Sequence, residues 1–304
     1  MKAKQRAYLE LHFAVLLFGL TAILGDLIHL SALLIVWWRV LITCISLFFL
    51  IRFGKFLREI PRKIVLQFMG IGVLVALHWL CFFGAVKYSN ASICLVCMAT
   101  TSFFTSFLEP LLLQQRIKWY EILLGLLIIP GMVLVVNNTE LSMMAGIAVG
   151  LLSAFLAAVF SILNKKMVDQ ADPMSITFLE LGSAWLFLSL LLPFYFYYNP
   201  EASFLPNQTD LGYLAILALL CTTLAYVLSL RALKHISAFA SNLTINLEPV
   251  YGILLAYFIL QENEELSNGF YYGVCIILIA VFSYPFLTRL FENKDMVGSN
   301  EEIS

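Results

Sequence analysis

The sequence predicts an all-α integral membrane protein with ten transmembrane helices, arranged as two inverted five-helix repeats, and with both termini in the cytoplasm. Its composition is the first reason, because 62% of the 304 residues are hydrophobic and only 12% are charged, whereas a soluble domain carries about 25% charged residues. The mean hydropathy of +0.92 agrees with this class. The distribution of Lys and Arg and a weak internal repeat are the other two reasons.

Ten apolar runs follow one another along the chain, and about 20 apolar residues suffice for a helix to cross a bilayer. The predicted spans are residues 9–28, 32–52, 64–86, 91–113, 118–136, 145–165, 173–197, 210–230, 237–260 and 269–289. The links between them are short, which leaves no room for a soluble catalytic or receptor domain. The first run lacks a small-residue cleavage site, so we expect a retained span. The polar tail 291–304 is predicted to be disordered.

Lys and Arg residues give the predicted orientation of these spans. If the N-terminus is inside, 16 of the 18 Lys and Arg residues lie in cytoplasmic segments. Of the other two, Lys87 falls outside and Arg39 lies within a span. Cytoplasmic loops of membrane proteins carry such an excess of positive charge, so both termini are predicted to be cytoplasmic.

The two halves of the chain are weakly similar to each other. An ungapped offset of 147 residues keeps six of 32 residues identical over 84–115 and places Lys87 on Lys234. It also superposes the third span on the eighth and the fourth on the ninth. Because five spans per half is an odd number, the halves, 8–137 and 145–290, are predicted to insert as inverted repeats. This plan recurs among transporters, with the site near the midplane where the repeats meet.

The ninth span, 237–260, carries Glu248 near its middle, followed at once by Pro249. A carboxylate at that depth in lipid costs a few kcal/mol, so we expect Glu248 to face a water-filled cavity or protein. At about 100° per residue, the other polar residues lie on the same side of the helix or on its flank: Ser241, Thr244, Asn242 and Asn246. One interpretation is a helix that faces a pore and contacts a solute. The alternative is a packing helix whose polar side chains bond to neighbouring helices.

Several short segments resemble one family of membrane proteins. Residues 37–41 (WWRVL) resemble the start of its second span, and 232–238 (ALKHISA) resemble the turn between its eighth and ninth spans. Residues 247–250 (LEPV), with Glu262 after them, resemble its ninth span and closing acidic turn. Over about residues 8–290, the chain therefore resembles an EamA-type permease of the drug/metabolite transporter superfamily.

This resemblance implies secondary transport, commonly efflux, of small metabolites such as amino acids across the inner membrane. The first half departs from the family pattern. Ser102 stands where the offset puts Pro249, and Gln115 stands in place of Glu262. A site in which the two halves contribute equivalent residues is therefore not expected.

Three further ionisable residues inside the spans are candidates for solute binding or gating. Arg39 can hold an anionic group of a solute, or Glu248, with its planar fork; the alternative is a structural pair or a snorkel to the headgroups. Glu180 lies near the repeat counterpart of Arg39, which suggests gates on opposite sides of the midplane, or else an interfacial acid. His78 can relay a proton or contact solute, or it can be a satisfied core histidine.

Aromatic residues next to these candidates suggest a cavity for a partly apolar solute. Trp79 and Tyr226 occupy matching positions under the 147-residue offset, and Trp38 adjoins Arg39. Asn164, late in the sixth span, is a weaker candidate of the same kind. Most other aromatic residues are expected in the core, in contact with lipid or at the interface.

Other function classes lack their usual signatures. A net charge of −1 argues against nucleic-acid binding, and the four histidines are scattered, with no metal, nucleophile or nucleotide motif. We therefore expect no enzyme activity and no cofactor, and uphill transport has to draw on a gradient. Glu180 or Glu248 could couple it to protons, with Pro249 in a gating role. A sugar-phosphate or nucleotide-sugar exchanger and a membrane scaffold remain alternatives.

Overall fold

The computed structural model describes residues 3–51, 60–135, 143–248, 250–252 and 268–301. Helices account for all regular structure in these ranges, which confirms the predicted all-α class for this part of the chain. The helices are α1 Ala3–Leu27, α2 Ala32–Leu50, α3 Arg62–Tyr88, α4 Ala91–Leu113, α5 Trp119–Val135, α6 Met144–Met167, α7 Pro173–Tyr198, α8 Gln208–Leu233, α9 Ala238–Ile245 and α10 Asn268–Glu301.

Seven of these helices, α1 to α4 and α6 to α8, are long and apolar enough to cross a membrane. The helices α5 and α10 contain shorter apolar stretches, Trp119–Gly131 and Cys275–Phe291. Glu248 and residues 250–252 are helical as well, whereas Pro249 and most of the C-terminal half of the predicted ninth span lie outside the described residues. A multi-pass helical membrane protein follows from these lengths, and the count of ten spans stays a prediction.

The outer surface of the helices is rich in large apolar side chains. Phe49, Leu111, Leu190 and Phe194 are each at least two-thirds exposed. A soluble monomer rarely leaves such residues in contiguous patches facing water. Contact with lipid chains explains this surface.

The helices pack in a pattern that stays the same when the two halves are interchanged. The helix α1 packs along α8, and its counterpart α6 packs along α3. The helices α2 and α7 pack on each other, as do α5 and α10, so each of these pairs is its own counterpart. The helices α2, α3, α7 and α8 supply most of the largest cluster of buried apolar residues, and the candidate site lies beside it.

Gly72 allows α3 and α7 to approach closely next to one of the candidate residues. A Cβ atom at this position would overlap the main-chain carbonyl of Glu180 and the hydroxyl of Ser183. The Ser183 hydroxyl also donates to the carbonyl of Met69 across the same contact, at 2.9 Å. Small residues commonly permit such close helix contacts in membranes. The contact therefore places the main chain of Glu180 directly against α3.

We expect Gly72→Ala to lower the thermal stability of the detergent-solubilised protein, because the added methyl group would force α3 and α7 apart at a cost of about 1–3 kcal/mol. Gly70→Ala is the matched control, since a Cβ at Gly70 would meet no described atom of a neighbouring helix within 4 Å. Alanine favours a helix over glycine, so the control should melt at the same temperature or higher. Equal melting temperatures for the two variants would contradict the close contact.

Candidate functional site

A cavity of about 110 Å³ lies between α1, α2, α3, α4, α6, α8 and α9. Eight of the residues that the sequence analysis singled out line it: Arg39, His78, Trp79, Asn164, Tyr226, Ser241, Asn242 and Glu248. Phe18 and Thr21 of α1, Phe82 of α3 and Phe160 of α6 supply further wall. The cavity is somewhat smaller than the engineered cavity of about 150 Å³ that admits benzene, so in this conformation it accommodates a solute of only a few heavy atoms.

Arg39 extends from α2 into the cavity wall and is 1% exposed. Its Nε donates to the Thr222 hydroxyl at 2.5 Å, and its Nη2 donates to the Cys221 carbonyl at 3.4 Å. The guanidinium carbon lies 4.1 Å from the centre of the Trp79 ring, a distance at which cation–π attraction is appreciable. Its Nη1 is buried and has no hydrogen-bond partner among the described residues. One side of the guanidinium is thus held by α8, and a donor remains for a further acceptor.

A π-helical turn, Leu219–Leu224, forms the surface of α8 that receives Arg39. The hydroxyls of Thr222 and Thr223 donate to carbonyls five residues back, at 2.6 and 2.9 Å. Thr43 of α2 donates to one of these carbonyls, that of Ala218, at 3.1 Å. The π turn is wider than an α-helical turn and would otherwise leave main-chain carbonyls unpaired within the membrane. These bonds satisfy them. Such turns are frequent at functional sites.

Glu248 lines the same cavity and is 7% exposed. Arg39 and Glu248 carry opposite charges, yet no ion pair within 4 Å joins these two described residues. Trp79 and Tyr226, whose ring centres are 6.3 Å apart, lie in the wall as well. The cavity therefore offers a positive group, a negative group and aromatic surface to one small ligand.

His78 is held in a fixed orientation by α6. Its Nδ1 lies 2.9 Å from the Ser153 hydroxyl and 3.0 Å from the Ser153 carbonyl. The same hydroxyl donates to the His78 carbonyl at 3.0 Å, so the two helices are joined by three contacts at this point. The ring also packs against Phe160, with 5.3 Å between ring centres. His78 thus combines a place in the cavity wall with a structural bond.

Asn242 binds two neighbouring helices. Its Nδ2 donates to the hydroxyls of Thr105 in α4 and Ser161 in α6, each at 2.8 Å. The sequence analysis did not single out Thr105 or Ser161. The available signal for such bonds was the recurrence of hydroxyl residues every one or two turns in an apolar helix. This amide therefore links α9 to both α4 and α6.

Other candidate residues lie away from the cavity wall. Asn246 donates to the Ser102 hydroxyl at 2.9 Å, and Thr244 donates to the Ala240 carbonyl at 2.8 Å, contacts that match the packing interpretation of the ninth span. Trp38 donates its indole N–H to the Phe204 carbonyl at 2.9 Å. Pro249 lies outside the described residues.

Glu180 of α7 is fully buried behind the wall. Its Oε2 accepts a bond from the Tyr226 hydroxyl at 2.5 Å and one from the Asn164 amide at 3.3 Å. Because Tyr226 and Asn164 both line the cavity, Glu180 is one side chain removed from any ligand there.

Two lysines, at opposite ends of the bundle, donate to main-chain carbonyls in the links between helices. The Lys87 ammonium, at the end of α3, donates to the Ile28 carbonyl after α1, at 2.9 Å. The Lys234 ammonium, at the end of α8, donates to the Ala171 carbonyl after α6, at 3.4 Å. We call these two contacts the lysine latches. The two contacts are equivalent in the two halves, because Lys87 and Lys234 match under the 147-residue offset and α1 is the counterpart of α6.

Helix caps strengthen each of these ends. Asn90 caps α4 by accepting from Ile93 N–H at 2.8 Å, and Ser237 caps α9 by accepting from Ala240 N–H at 3.1 Å; Asn90 and Ser237 also match under the offset. Glu109 of α4 accepts bonds from the first N–H groups of α9, at 3.0 and 2.7 Å. An acidic group at a helix N-terminus is favoured by the helix dipole as well.

The comparisons with known proteins agree with this architecture. A model of a family described as the EamA-like transporter family matches residues 5–137 and 144–284. One solved structure, described only as the crystal structure of a protein, has a TM-score of 0.73 over 94% of this chain and 98% of its own, at 14% sequence identity. At that identity the likeness shows the fold alone. The comparison with curated proteins found no match.

Proposed function

Because this chain belongs to the EamA-like transporter family, we propose that it is a secondary transporter that exports small zwitterionic metabolites, such as amino acids, across the cytoplasmic membrane by alternating access. A small-molecule solute and a bilayer are the partners of a transporter. The solute class, the direction and the mechanism are our proposal. The observation that carries it is the cavity that holds Arg39 and Glu248 without a direct ion pair between them.

A zwitterion fits the chemistry of this cavity. Arg39 retains an unpartnered Nη1 donor that suits a carboxylate, and Glu248 provides the opposite charge for an ammonium group. Trp79 and Tyr226 can pack on an apolar side chain. Neutralising both charges of the solute inside the cavity avoids leaving an unpaired charge in a medium where it is costly.

A phosphate-bearing solute fits the cavity less well. Arg39 is the one Lys or Arg among the described residues that line it, and a phosphate group would bring up to two negative charges next to Glu248. The chemistry therefore favours a weakly charged or zwitterionic solute over a sugar phosphate or a nucleotide sugar.

The lysine latches support an alternating-access cycle. One latch lies at the end of the bundle formed by the α1–α2 and α3–α4 links, and the other lies at the end formed by the α6–α7 and α8–α9 links. A hydrogen bond from a charged group contributes about 1.5–3 kcal/mol, so each latch can open within a transport cycle. We propose that the two open in alternation, and that the second end, which contains Lys234, faces the cytoplasm together with both termini.

Transport assays in proteoliposomes test the proposed solute and site. We expect wild-type protein to exchange one class within a panel of labelled amino acids and related metabolites, and Glu248→Gln to lower that flux at least about tenfold, since one charge-assisted contact is worth about 1.5–3 kcal/mol. Glu201→Gln is the control, because Glu201 is exposed in the link before α8. Flux that is equal in all three proteins would remove Glu248 from the site.

Removing one latch should change access to the cavity from one side only. In a cysteine-free background with Ser229→Cys as a reporter in the cavity wall, Lys234→Met should raise the labelling rate by an impermeant maleimide from the second end severalfold. Lys87→Met is the matched control and should leave that rate unchanged or lower it. The same increase in both variants would indicate general loosening and would contradict alternating latches.

The proposed orientation can be tested with exposed positions at the two ends. Tyr88 and His235 are both exposed and match under the repeat offset. In the cysteine-free background, Tyr88→Cys should react with an impermeant maleimide in intact cells, whereas His235→Cys should react only after permeabilisation. The reverse pattern would place both termini outside.

A further inference from the structure

Glu180 is buried without the partners that an ionised carboxylate requires. None of its surface is exposed, and its bonds are to neutral groups, the Tyr226 hydroxyl and the Asn164 amide. Its other oxygen, Oε1, has no donor among the described residues. Removing an ion from water costs several kcal/mol unless it is paired.

The charged groups around Glu180 are engaged elsewhere. From α2, Arg39 donates to Thr222 and Cys221, and from α3, His78 bonds to Ser153. Lys165, which follows Asn164 on α6, donates to the Leu233 carbonyl at 2.8 Å. Glu248 lines the cavity and, as a carboxylate, would carry a charge of the same sign. On α8, the titratable group in contact with Glu180 is Tyr226, whose hydroxyl is a donor to it.

The second unpartnered atom belongs to the residue that already binds Glu180. Asn164 Nδ2 donates to Glu180 Oε2 at 3.3 Å, while Asn164 Oδ1 has no donor among the described residues. Glu180 Oε1 and Asn164 Oδ1 are thus two acceptors without a donor, on two side chains that are in contact. A buried acceptor without a partner costs about 1–3 kcal/mol.

One proton satisfies both atoms. We propose that Glu180 and Asn164 form a proton-binding site, in which the proton sits on Glu180 Oε1 and is donated to Asn164 Oδ1. The carboxylic acid and the amide then form a ring of two hydrogen bonds, since Asn164 Nδ2 already donates to Oε2. The proton comes from water and leaves to water, so nothing is oxidised or reduced. The four described oxygens at this point, two of Glu180 and one each of Asn164 and Tyr226, fall short of the six or more that bind a hard metal cation such as Ca²⁺.

The site lies where a solute can act on it. Asn164 and Tyr226 line the cavity with one part of their side chains and bond to Glu180 with another. A solute group that donates to Asn164 Oδ1 competes with the acid proton for that acceptor and so favours release of the proton. A solute that draws the Tyr226 hydroxyl or the Asn164 N–H away from Glu180 instead removes donors that stabilise the carboxylate and favours retention of the proton. This step rests on the proposed transport function and supplies its coupling ion, whereas the proton site itself does not depend on transport.

Infrared spectroscopy of the purified protein tests the site without any solute. At neutral pH, wild type should show the carbonyl stretch of a protonated carboxylic acid with the shift in deuterium oxide expected of a hydrogen-bonded acid, and Glu180→Gln should lack it. Glu248→Gln is the control and should keep the band. A band that persists in Glu180→Gln, or is absent from wild type, overturns the proposal. So does a band that sodium ions remove at constant pH.

A second variant covers the case in which Glu180→Gln fails to fold. Asn164→Leu keeps the carboxyl group and removes the amide, so the acid band should move to the frequency of a weaker hydrogen bond. An unchanged band would show that Asn164 is not the acceptor and would overturn the proposal.

Transport then tests the coupling separately. In proteoliposomes with a pH gradient, Glu180→Gln should retain solute exchange and lose pH-driven accumulation. Unchanged accumulation would overturn the coupling role even if the infrared band behaves as expected. Absence of any transport by wild type would instead count against the proposed function and leave the infrared result standing.

Discussion

The burial of the Arg39 guanidinium is the constraint on which the site depends. This group cannot lose its charge, and inside a membrane protein such a charge needs an opposite charge or hydrogen-bond acceptors such as main-chain carbonyls. The π turn of α8 presents the Thr222 hydroxyl and the Cys221 carbonyl, and α3 presents the face of Trp79. Together they hold the guanidinium inside the bundle, in the wall of a cavity that also contains Glu248. The shape of α8 is thus tied to one side chain of α2.

The same rules of packing operate at both ends of the bundle. Each half places a lysine at the end of its third helix and bonds it to a carbonyl after its first helix, and each caps the following helix with a polar side chain. The two ends are closed by a few polar contacts, whereas the helix faces are held by buried apolar surface, so we propose that the ends are the parts that open. Opening them in turn would give access to the central residues from either side.

Much of this organisation could be predicted from the sequence, because it depends on composition and spacing. Long apolar runs indicate membrane helices, and the repeat offset paired Trp79 with Tyr226, whose rings contact each other in the structure. The π turn could not be predicted, because a Thr pair in an apolar run is compatible with a regular helix. Helix periodicity alone also could not tell that Asn242 lines the cavity while Asn246 bonds to Ser102, since that depends on which neighbour each residue meets.

The two halves share a geometry and differ in chemistry. In the first half, Arg39 of the second helix packs on Trp79 of the third. In the second half, Glu180 of the second helix bonds to Tyr226 of the third, and the two aromatic rings meet between the halves. A guanidinium keeps its charge at any physiological pH, whereas a carboxyl group can exchange a proton. A proton-dependent step is therefore possible at Glu180 and excluded at Arg39. The inequality of the halves thus places a permanent charge in the cavity wall and, one side chain behind that wall, a group that can change its charge.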